Sequence, residues 1–405
     1  MAQGISDEPK ENVVKLSNKK ILKTAAIYGA NSSGKSNFIK ALSQMTDNVL
    51  SSVKLNDNES VDYDPFKLAI GNSNKPSFFE VIFLDENIKY RYGFELTSES
   101  ILGEWLFQSK ITAKSEKTLF IRTEEGIGVD EKSFPEGVGK EVNTNNNRLF
   151  LSLCAQLGGV ESKKVISWFQ DKINVISGIE SFKYSGFTKQ MLHKESEDCS
   201  KAKRFFKTMQ LGFSDIEATE VEFDISQLPD GLTDDLKKRL ETRFKGRKNI
   251  ELKSKHFIYD KNGNIVGVEA FDVEEMESEG TQKLIQLSGP VFDTLANSQV
   301  LVVDELDAKM HPLISQYIIG LFNNPKTNPN NAQLIFTTHD THLLSSKLLR
   351  RDQIWFTEKD FTEQTDLYNM MDISLPDGSK PRNDANYEKN YIVGRYGAIP
   401  YILNE

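Results

Sequence analysis

Apolar positions along this chain fall into three spacings, and each announces a different element. Residues 21–28 form a short apolar run suited to a strand buried on both faces, and Phe38, Ile39, Ala41 and Leu42 then supply one buried face of a helix. Residues 51–65 are polar and read as loop. Residues 78–84 and 88–96 alternate apolar and polar around Asp85-Glu86-Asn87, the pattern of a β-hairpin. Phe79, Val81 and Phe83 share one face of it, as do Tyr90, Tyr92, Phe94 and Leu96. Residues 104–107 and 118–122 extend this into an antiparallel sheet. Residues 1–16 have little periodicity and read as irregular or as a short edge segment.

Between about Asn143 and Lys255 the apolar residues sit at helical spacing in long polar stretches, as in Leu149, Leu153, Leu157 and in Val165, Trp168, Phe169. This predicts a mainly helical insertion. Residues 256–259 and 264–268 flank Asp260-Lys261-Asn262-Gly263, a hairpin turn with Asn-Gly at its tip. After an acidic segment, Leu284, Leu287, Val291 and Leu295 mark a helix that opens near Ser278 and that Gly289-Pro290 would kink or shorten. Residues 299–303 and 332–336 are continuous apolar strands ending in Asp304-Glu305 and in Thr337-Thr338-His339-Asp340. The reading is an α/β fold in three parts: an N-terminal lobe over residues 1–142 with an antiparallel β subregion, an insertion over 143–255, and a C-terminal lobe over 256–405. In an open parallel sheet, the carboxyl edge that carries those polar strand ends is where ligands bind.

That edge receives the most informative stretch of the chain. Gly29-Ala30-Asn31-Ser32-Ser33-Gly34-Lys35-Ser36-Asn37 leaves the first buried strand and enters a helix, in the pattern G-x-x-x-x-G-K-[ST]. Glycines at 29 and 34 let the backbone turn so that successive N–H groups face an anion, and the helix opening near Lys35 adds its positive end. Lys35 is placed to reach outer phosphates, and the Ser36 hydroxyl to ligate Mg²⁺. Asp304 is the matching metal carboxylate, and Glu305 the base that orients and deprotonates an attacking water. His339, after a strand and two threonines, is placed to donate to a γ-phosphate. His311 shapes a turn with Pro312, and a His339/His342 pair lacks the further ligands zinc requires, so no zinc is assigned.

Composition narrows the class without naming it. The net charge of −9 offers nucleic acid no global attraction, so any such binding must be local. Two segments qualify: residues 201–207, with Phe205 and Phe206 embedded, and Lys237 to Lys255, with lysines and arginines at 237, 238, 239, 243, 245, 247, 248, 253 and 255. Each reads either as a backbone grip for DNA or RNA or as a solvated face balanced by Asp234, Asp235, Glu241 and Glu251. Two cysteines, Cys154 and Cys199, argue against a disulfide framework. No apolar stretch approaches the roughly 20 residues of a membrane span, and the polar N-terminus lacks a secretory pattern, so a cytoplasmic protein is expected.

In order along the chain, the phosphate loop with trailing Asn37, Ser278-Glu279-Gly280-Thr281-Gln282, Val302-Val303-Asp304-Glu305, the turn at residues 306–312 and Thr338-His339-Asp340 resemble an ABC-type ATPase of the SMC/RecF/OLD group. Tyr28-Gly29-Ala30-Asn31, residues 333–340, residues 351–356 and the tail at 394–400 resemble more narrowly the bacterial AAA-15/AAA-21 ATPases related to abortive-infection and restriction-linked proteins. The resemblance implies ATP and Mg²⁺ as cofactors and a P-loop ATPase head. It also implies a head-to-tail homodimer or higher homo-oligomer, in which Ser278, Gly280 and Gln282 complete the partner's nucleotide pocket. A separate nuclease or toxin effector in anti-phage defence is the leading role implied. A DNA-repair or chromosome-maintenance ATPase, and an ATP-binding scaffold with little turnover, are the alternatives. Three features depart from the pattern. The strands expected ahead of the loop are missing or reduced to the polar residues 1–10. The Q-loop glutamine has only Gln156 or Gln108 as candidates. No acidic TOPRIM nuclease domain fits after His339, and the acidic run Asp272, Glu274, Glu275, Glu277, Glu279 reads as a solvated loop, so no nuclease chemistry is expected of this chain.

Overall fold

Four apolar strands with side chains buried on both faces make the frame of the computed structural model, which describes residues 8–17, 19–72, 75–180, 182–222, 233–244, 248–375 and 377–400. In chain order, strands β1 (Val13–Leu16), β2 (Lys19–Leu22) and β3 (Thr24–Gly29) precede helix α1 (Lys35–Ser51). Strands β4 (Ser77–Asp85), β5 (Ile88–Leu96), β6 (Ile101–Lys110), β7 (Lys117–Thr123) and β8 (Gly126–Val129) follow, then α2 (Phe150–Gln156), α3 (Val160–Asp171) and β9 (Ile173–Ser177). Next come α4 (Phe182–His193), α5 (Glu197–Met209), β10 (Asp215–Glu222), α6 (Asp234–Phe244), β11 (Lys248–Tyr259), β12 (Ile265–Asp272), α7 (Val273–Met276) and α8 (Glu279–Asn297). The chain closes with β13 (Val300–Asp304), α9 (Pro312–Asn323), β14 (Gln333–Thr337), β15 (Ile354–Lys359), β16 (Thr365–Asn369) and α10 (Tyr387–Ile392).

Two compact units divide it. The first comprises residues 1–175, 298–306 and 316–405, and the second residues 176–297 and 307–315. In the first unit a six-stranded sheet has the order β16-β15-β3-β14-β13-β9. Strand β3 pairs in parallel with β14 on one side and β15 on the other, and β14 pairs in parallel with β13. Buried Ala26, Ile27, Tyr28, Leu301, Val302, Val303, Leu334, Phe336, Ile354 and Phe356 explain why these short runs carry no polar alternation.

The five-stranded antiparallel sheet β4-β5-β6-β7-β8 supplies the other layer. Its inner face, with Phe83, Tyr90, Tyr92, Phe94 and Phe120, packs with Met45 and Val49 of α1, Phe150 of α2 and Phe169 of α3 into one aromatic-rich core. Trp168 stacks on Phe83 with ring centroids 3.9 Å apart. One carboxylate lies inside this layer. Glu104, fully buried, accepts from the backbone N–H groups of Phe150 (2.6 Å) and Leu151 (3.0 Å) and from the Tyr92 hydroxyl (2.9 Å), which caps α2. Burial raises its pKa, and the nearby Arg122 charge and the two backbone donors oppose that rise.

Several sequence expectations change. The run at 21–28 is not one strand but β2 and β3, broken at Lys23, whose buried ammonium donates to the Asn323 carbonyl at 3.1 Å. Residues 13–16 are a strand, paired antiparallel with β2, whereas residues 1–7 lie outside the described residues. Ala41 is exposed, because the buried stripe of α1 runs through Ile39, Met45 and Val49. Within the segment 143–255, helices α2 to α6 alternate with strands: α2 and α3 cover the antiparallel sheet, β9 joins the six-stranded one, and β10 and β11 pair antiparallel.

In the second unit, α8 runs unbroken through Pro290. The Gln286 carbonyl, which Pro290 cannot reach with an N–H, accepts from the Thr188 hydroxyl of α4 instead. Gly289 makes that approach possible, since a Cβ there would stand 2.2 Å from the same hydroxyl. Phe205 and Phe206 are buried, and their basic neighbours pair with acids, Lys201 with Glu197 at 3.0 Å and Lys203 with Asp215 at 3.4 Å.

Replacing Glu104 by alanine should cost about 3–5 kcal/mol, because it strands two buried N–H donors, a buried phenol and the Arg122 charge at once. Glu104→Gln, which keeps one acceptor oxygen, should lose clearly less. Urea unfolding of the two variants against the parent checks this, and equal losses would refute the capping role.

Candidate phosphate-binding site

Parallel pairing on both sides of β3 forces the chain to leave the sheet at Gly29 and turn back before α1 can start. The turn uses backbone that few side chains adopt, with φ of +64° at Ser32 and +107° at Gly34. A Cβ at Gly34 would also lie 2.1 Å from the Thr365 hydroxyl, and one at Gly29 would lie 2.4 Å from both the Ser33 and Thr357 hydroxyls. Those contacts fix the loop from below. The Ser33 and Thr357 hydroxyls are 2.6 Å apart, the Thr365 hydroxyl donates to the Ser33 carbonyl at 3.1 Å, and the Thr357 hydroxyl donates to the Tyr28 carbonyl at 3.3 Å. Lys35 is folded into the loop, its ammonium donating to the carbonyls of Gly29 (2.8 Å) and Ala30 (3.1 Å). The first turn of α1 has no acidic side chain to offset its positive dipole end.

Asn31, Ser32, Ser33, Gly34, Lys35, Ser36 and Asn37 line one cavity of about 550 Å³ together with Glu305, His339 and Lys359. The sheet explains the gathering. Strands β13, β14 and β15 run parallel to β3 and end at its level, delivering Glu305, His339 and Lys359 to the edge where the loop emerges.

Glu305 is set by its neighbour strand. Thr337, fully buried at the end of β14, donates its hydroxyl to Asp304 at 2.6 Å, and the same oxygen accepts from the Glu305 N–H at 2.7 Å. The Leu306 N–H donates to the Thr337 carbonyl at 3.1 Å, so residues 304–306 are tied to β14 as they leave the sheet. Glu305 pays for this position with a φ of +57°, a conformation unusual for a residue with a side chain. His339 is exposed, one residue after buried Thr338, whose N–H donates to the Ile27 carbonyl at 3.1 Å.

The remaining expected residues stand elsewhere. Asp304 is half-buried beside Thr337 and does not line the cavity, and Gly29 and Ala30 serve as carbonyl partners of Lys35. Gln108 and Gln156 do not line it either: the Gln108 amide donates to Glu161, and Gln156 is exposed at the end of α2. Ser278, Gly280 and Gln282 belong to the second unit. There the Ser278 hydroxyl accepts from the Thr281 N–H at 3.2 Å, and a Cβ at Gly280 would sit 2.7 Å from the Lys309 carbonyl. The Gln282 amide donates to the carbonyls of Glu274 (3.0 Å) and Glu277 (2.8 Å).

The two open readings of charge also become concrete. Among the described residues of the basic stretch, Lys248 pairs with Glu220 and Lys255 with Glu217, both at 2.7 Å, while Lys245 and Arg247 lie outside the described residues. In the acidic run, Glu274 pairs with Lys189 at 3.2 Å, Glu277 with His256 at 3.0 Å and Glu279 with Lys309 at 2.9 Å. Cys154 and Cys199 are buried free thiols, and burial pushes the Cys154 pKa up to about 12. No helix among the described residues is long and apolar enough to cross a membrane.

The sequence placed Thr337 at a strand end without its bonds to Asp304 and Glu305, and Thr357, Thr365 and Lys359 were missed altogether. Thr337 and Lys359 end β14 and β15, Thr357 lies within β15 and Thr365 opens β16, all at the level of the loop, but only the pairing register reveals it. Thr337→Val should lower stability by about 1–3 kcal/mol, because valine fills the space but leaves the Glu305 N–H without an acceptor, and Thr337→Ser should recover most of the loss. Thermal denaturation of the pair tests this, and equal midpoints for the valine variant and the parent would exclude it.

A family model described as "AAA domain, putative AbiEii toxin, Type IV TA system" matches residues 25–345. No curated protein matches the chain. Among solved structures, it is similar to the SMC head domain from Thermotoga maritima, at 13% identity, covering 87% of this chain and 92% of that one with a TM-score of 0.39. A Smc head domain from Pyrococcus furiosus bound to the C-terminal domain of ScpA is similar at 12% identity, covering 87% and 92% with a TM-score of 0.33. The recombination mediator protein RecF in its ATPrS form is similar at 12% identity, covering 88% and 95% with a TM-score of 0.27.

Proposed function

Since this chain belongs to the AAA-domain family described as putative AbiEii toxin of a type IV toxin–antitoxin system, we propose that it is a Mg²⁺-dependent ATP hydrolase that pairs around ATP and gates a separate effector in bacterial anti-phage defence. The observation that carries the catalytic part is the single cavity shared by residues 31–37, Glu305 and His339. A cradle this tight, with no room for a Cβ at Gly34, suits the oxygens of a phosphate approached by backbone N–H groups. Lys35 already binds two carbonyl oxygens, the geometry of an ammonium ready to take phosphate oxygens in their place.

The Ser36 hydroxyl and the Asp304 carboxylate are hard oxygen donors of the kind Mg²⁺ takes, and the ion supplies charge neutralisation to the transferred phosphate. Thr337 holds Asp304 by one hydrogen bond and the Glu305 backbone by another, so metal ligand and base move together. Glu305 accepts the proton of the attacking water. His339 donates to the terminal phosphate and senses its loss.

Pairing around ATP rests on Ser278 and Gly280 at the start of α8, where hydroxyl and N–H groups make an anion site for the nucleotide of a second copy. Neighbouring genes encoding a nuclease or toxin would identify the effector. The ion pairs of Lys248 and Lys255 favour a solvated face over a DNA clamp in the part of the basic stretch described.

Lys35→Ala should lose nucleotide binding, whereas Glu305→Gln should bind ATP normally and turn over at least about a hundredfold more slowly, since an amide accepts no proton. Fluorescent-nucleotide titration beside phosphate release separates these effects, and equal loss of binding in both variants would sink the division of roles.

With ATP and Mg²⁺, Glu305→Gln should shift to a dimer in light scattering, and adding Gly280→Arg should abolish that shift. Scattering mass independent of nucleotide would count against pairing through Ser278 and Gly280.

A further inference from the structure

Lys359, the last residue of β15, lines the phosphate cavity although nothing in the loop motif requires a second lysine. Register explains its height. Thr357 stands opposite Gly29 in the β15/β3 ladder, so Lys359 lies two residues further on, beside the loop itself. The hairpin that carries it is fixed to that loop through Thr357 and Thr365, which hold Ser33 from both strands. The side chain is less committed. Its ammonium lies 3.1 Å from the Glu363 carboxylate across the turn, a pair in which the glutamate is 63% exposed and the lysine 32%. Ion pairs this wet hold weakly and exchange readily.

Position in the sheet says which part of a ligand Lys359 meets. The order β15-β3-β14-β13 puts Lys359 on one flank of the loop strand and His339 and Glu305 on the other. The flank with the base and the histidine is where the terminal phosphate is cut, so a chain of phosphates crossing the loop turns its nucleoside-side members toward β15. We propose that Lys359 is a phosphate-contacting residue, whose ammonium leaves Glu363 to bind the α- and β-phosphates of nucleoside di- and triphosphates. The proposal rests on the nucleotide reading given above. The lysine is then an affinity residue that does not discriminate ATP from ADP, in contrast to residues of the opposite flank.

The test is titration of the full chain with fluorescent ATP and fluorescent ADP in Mg²⁺, for the parent, Lys359→Ala, Lys359→Arg and Lys35→Ala. Lys359→Ala should weaken both nucleotides by the same factor, about tenfold for one charge-assisted contact, with its thermal midpoint unchanged. Lys359→Arg should restore both to within about threefold of the parent, since a guanidinium reaches phosphate oxygens equally well. Unchanged affinity for both nucleotides in Lys359→Ala would overturn the contact. A loss confined to ATP would overturn its placement and move the lysine to the terminal phosphate. If the parent binds neither nucleotide, the nucleotide reading itself fails, which the parent and Lys35→Ala controls reveal independently of residue 359.

Discussion

Parallel pairing of β3 with a strand on each side is the constraint on which the candidate site depends. A strand so enclosed uses its N–H and C=O groups in two ladders and buries both faces, so it can neither slide nor tilt without breaking several hydrogen bonds. The strands of this sheet are tied to one another beyond the ladders as well. The Thr338 N–H reaches the Ile27 carbonyl, the Thr357 hydroxyl reaches the Tyr28 carbonyl, and the Leu306 N–H reaches the Thr337 carbonyl. Four strand ends are thereby held at one height, and a loop, a glutamate, a histidine and a lysine emerge beside one another.

Hydroxyls do the positioning close to that edge. Ser33, Thr337, Thr357 and Thr365 each bond a neighbouring strand or loop, and Ser33, Thr337 and Thr357 are buried. A threonine can donate and accept through one oxygen, as Thr337 does between Asp304 and Glu305, and it introduces no charge that would compete with an anion. A lysine or arginine in the same places would repel Lys35, and a carboxylate would repel phosphate. The same economy appears in the second unit, where the Thr188 hydroxyl supplies the hydrogen bond that Pro290 withholds from α8.

The aromatic layer beneath α1 has a different task. Phe83, Tyr90, Tyr92, Phe94, Phe120, Phe150 and Phe169 give α1 a rigid floor, and Glu104 ties the start of α2 to the middle of the antiparallel sheet.

Much of this was legible in the residues alone. Loop and helix, the β4/β5 hairpin and the strands ending at Asp304 and Thr337 follow from local rules: continuous apolar runs, alternation, and glycine where φ must be positive. The gathering of residues 31–37 with Glu305 and His339 followed from motif order and the carboxyl-edge rule. Local rules failed wherever an element's neighbour decided its fate. The break at Lys23 exists because β2 and β3 pair with different strands, and β9 extends the parallel sheet from within a segment whose spacing looks helical. Pro290 leaves α8 intact because a threonine about 100 residues earlier in the chain replaces its missing donor. Lys359 and the threonines at 337, 357 and 365 reach the site through register, which depends on which strand lies beside which. Periodicity records how a residue faces its own element, and only pairing between distant segments decides what it faces across the gap.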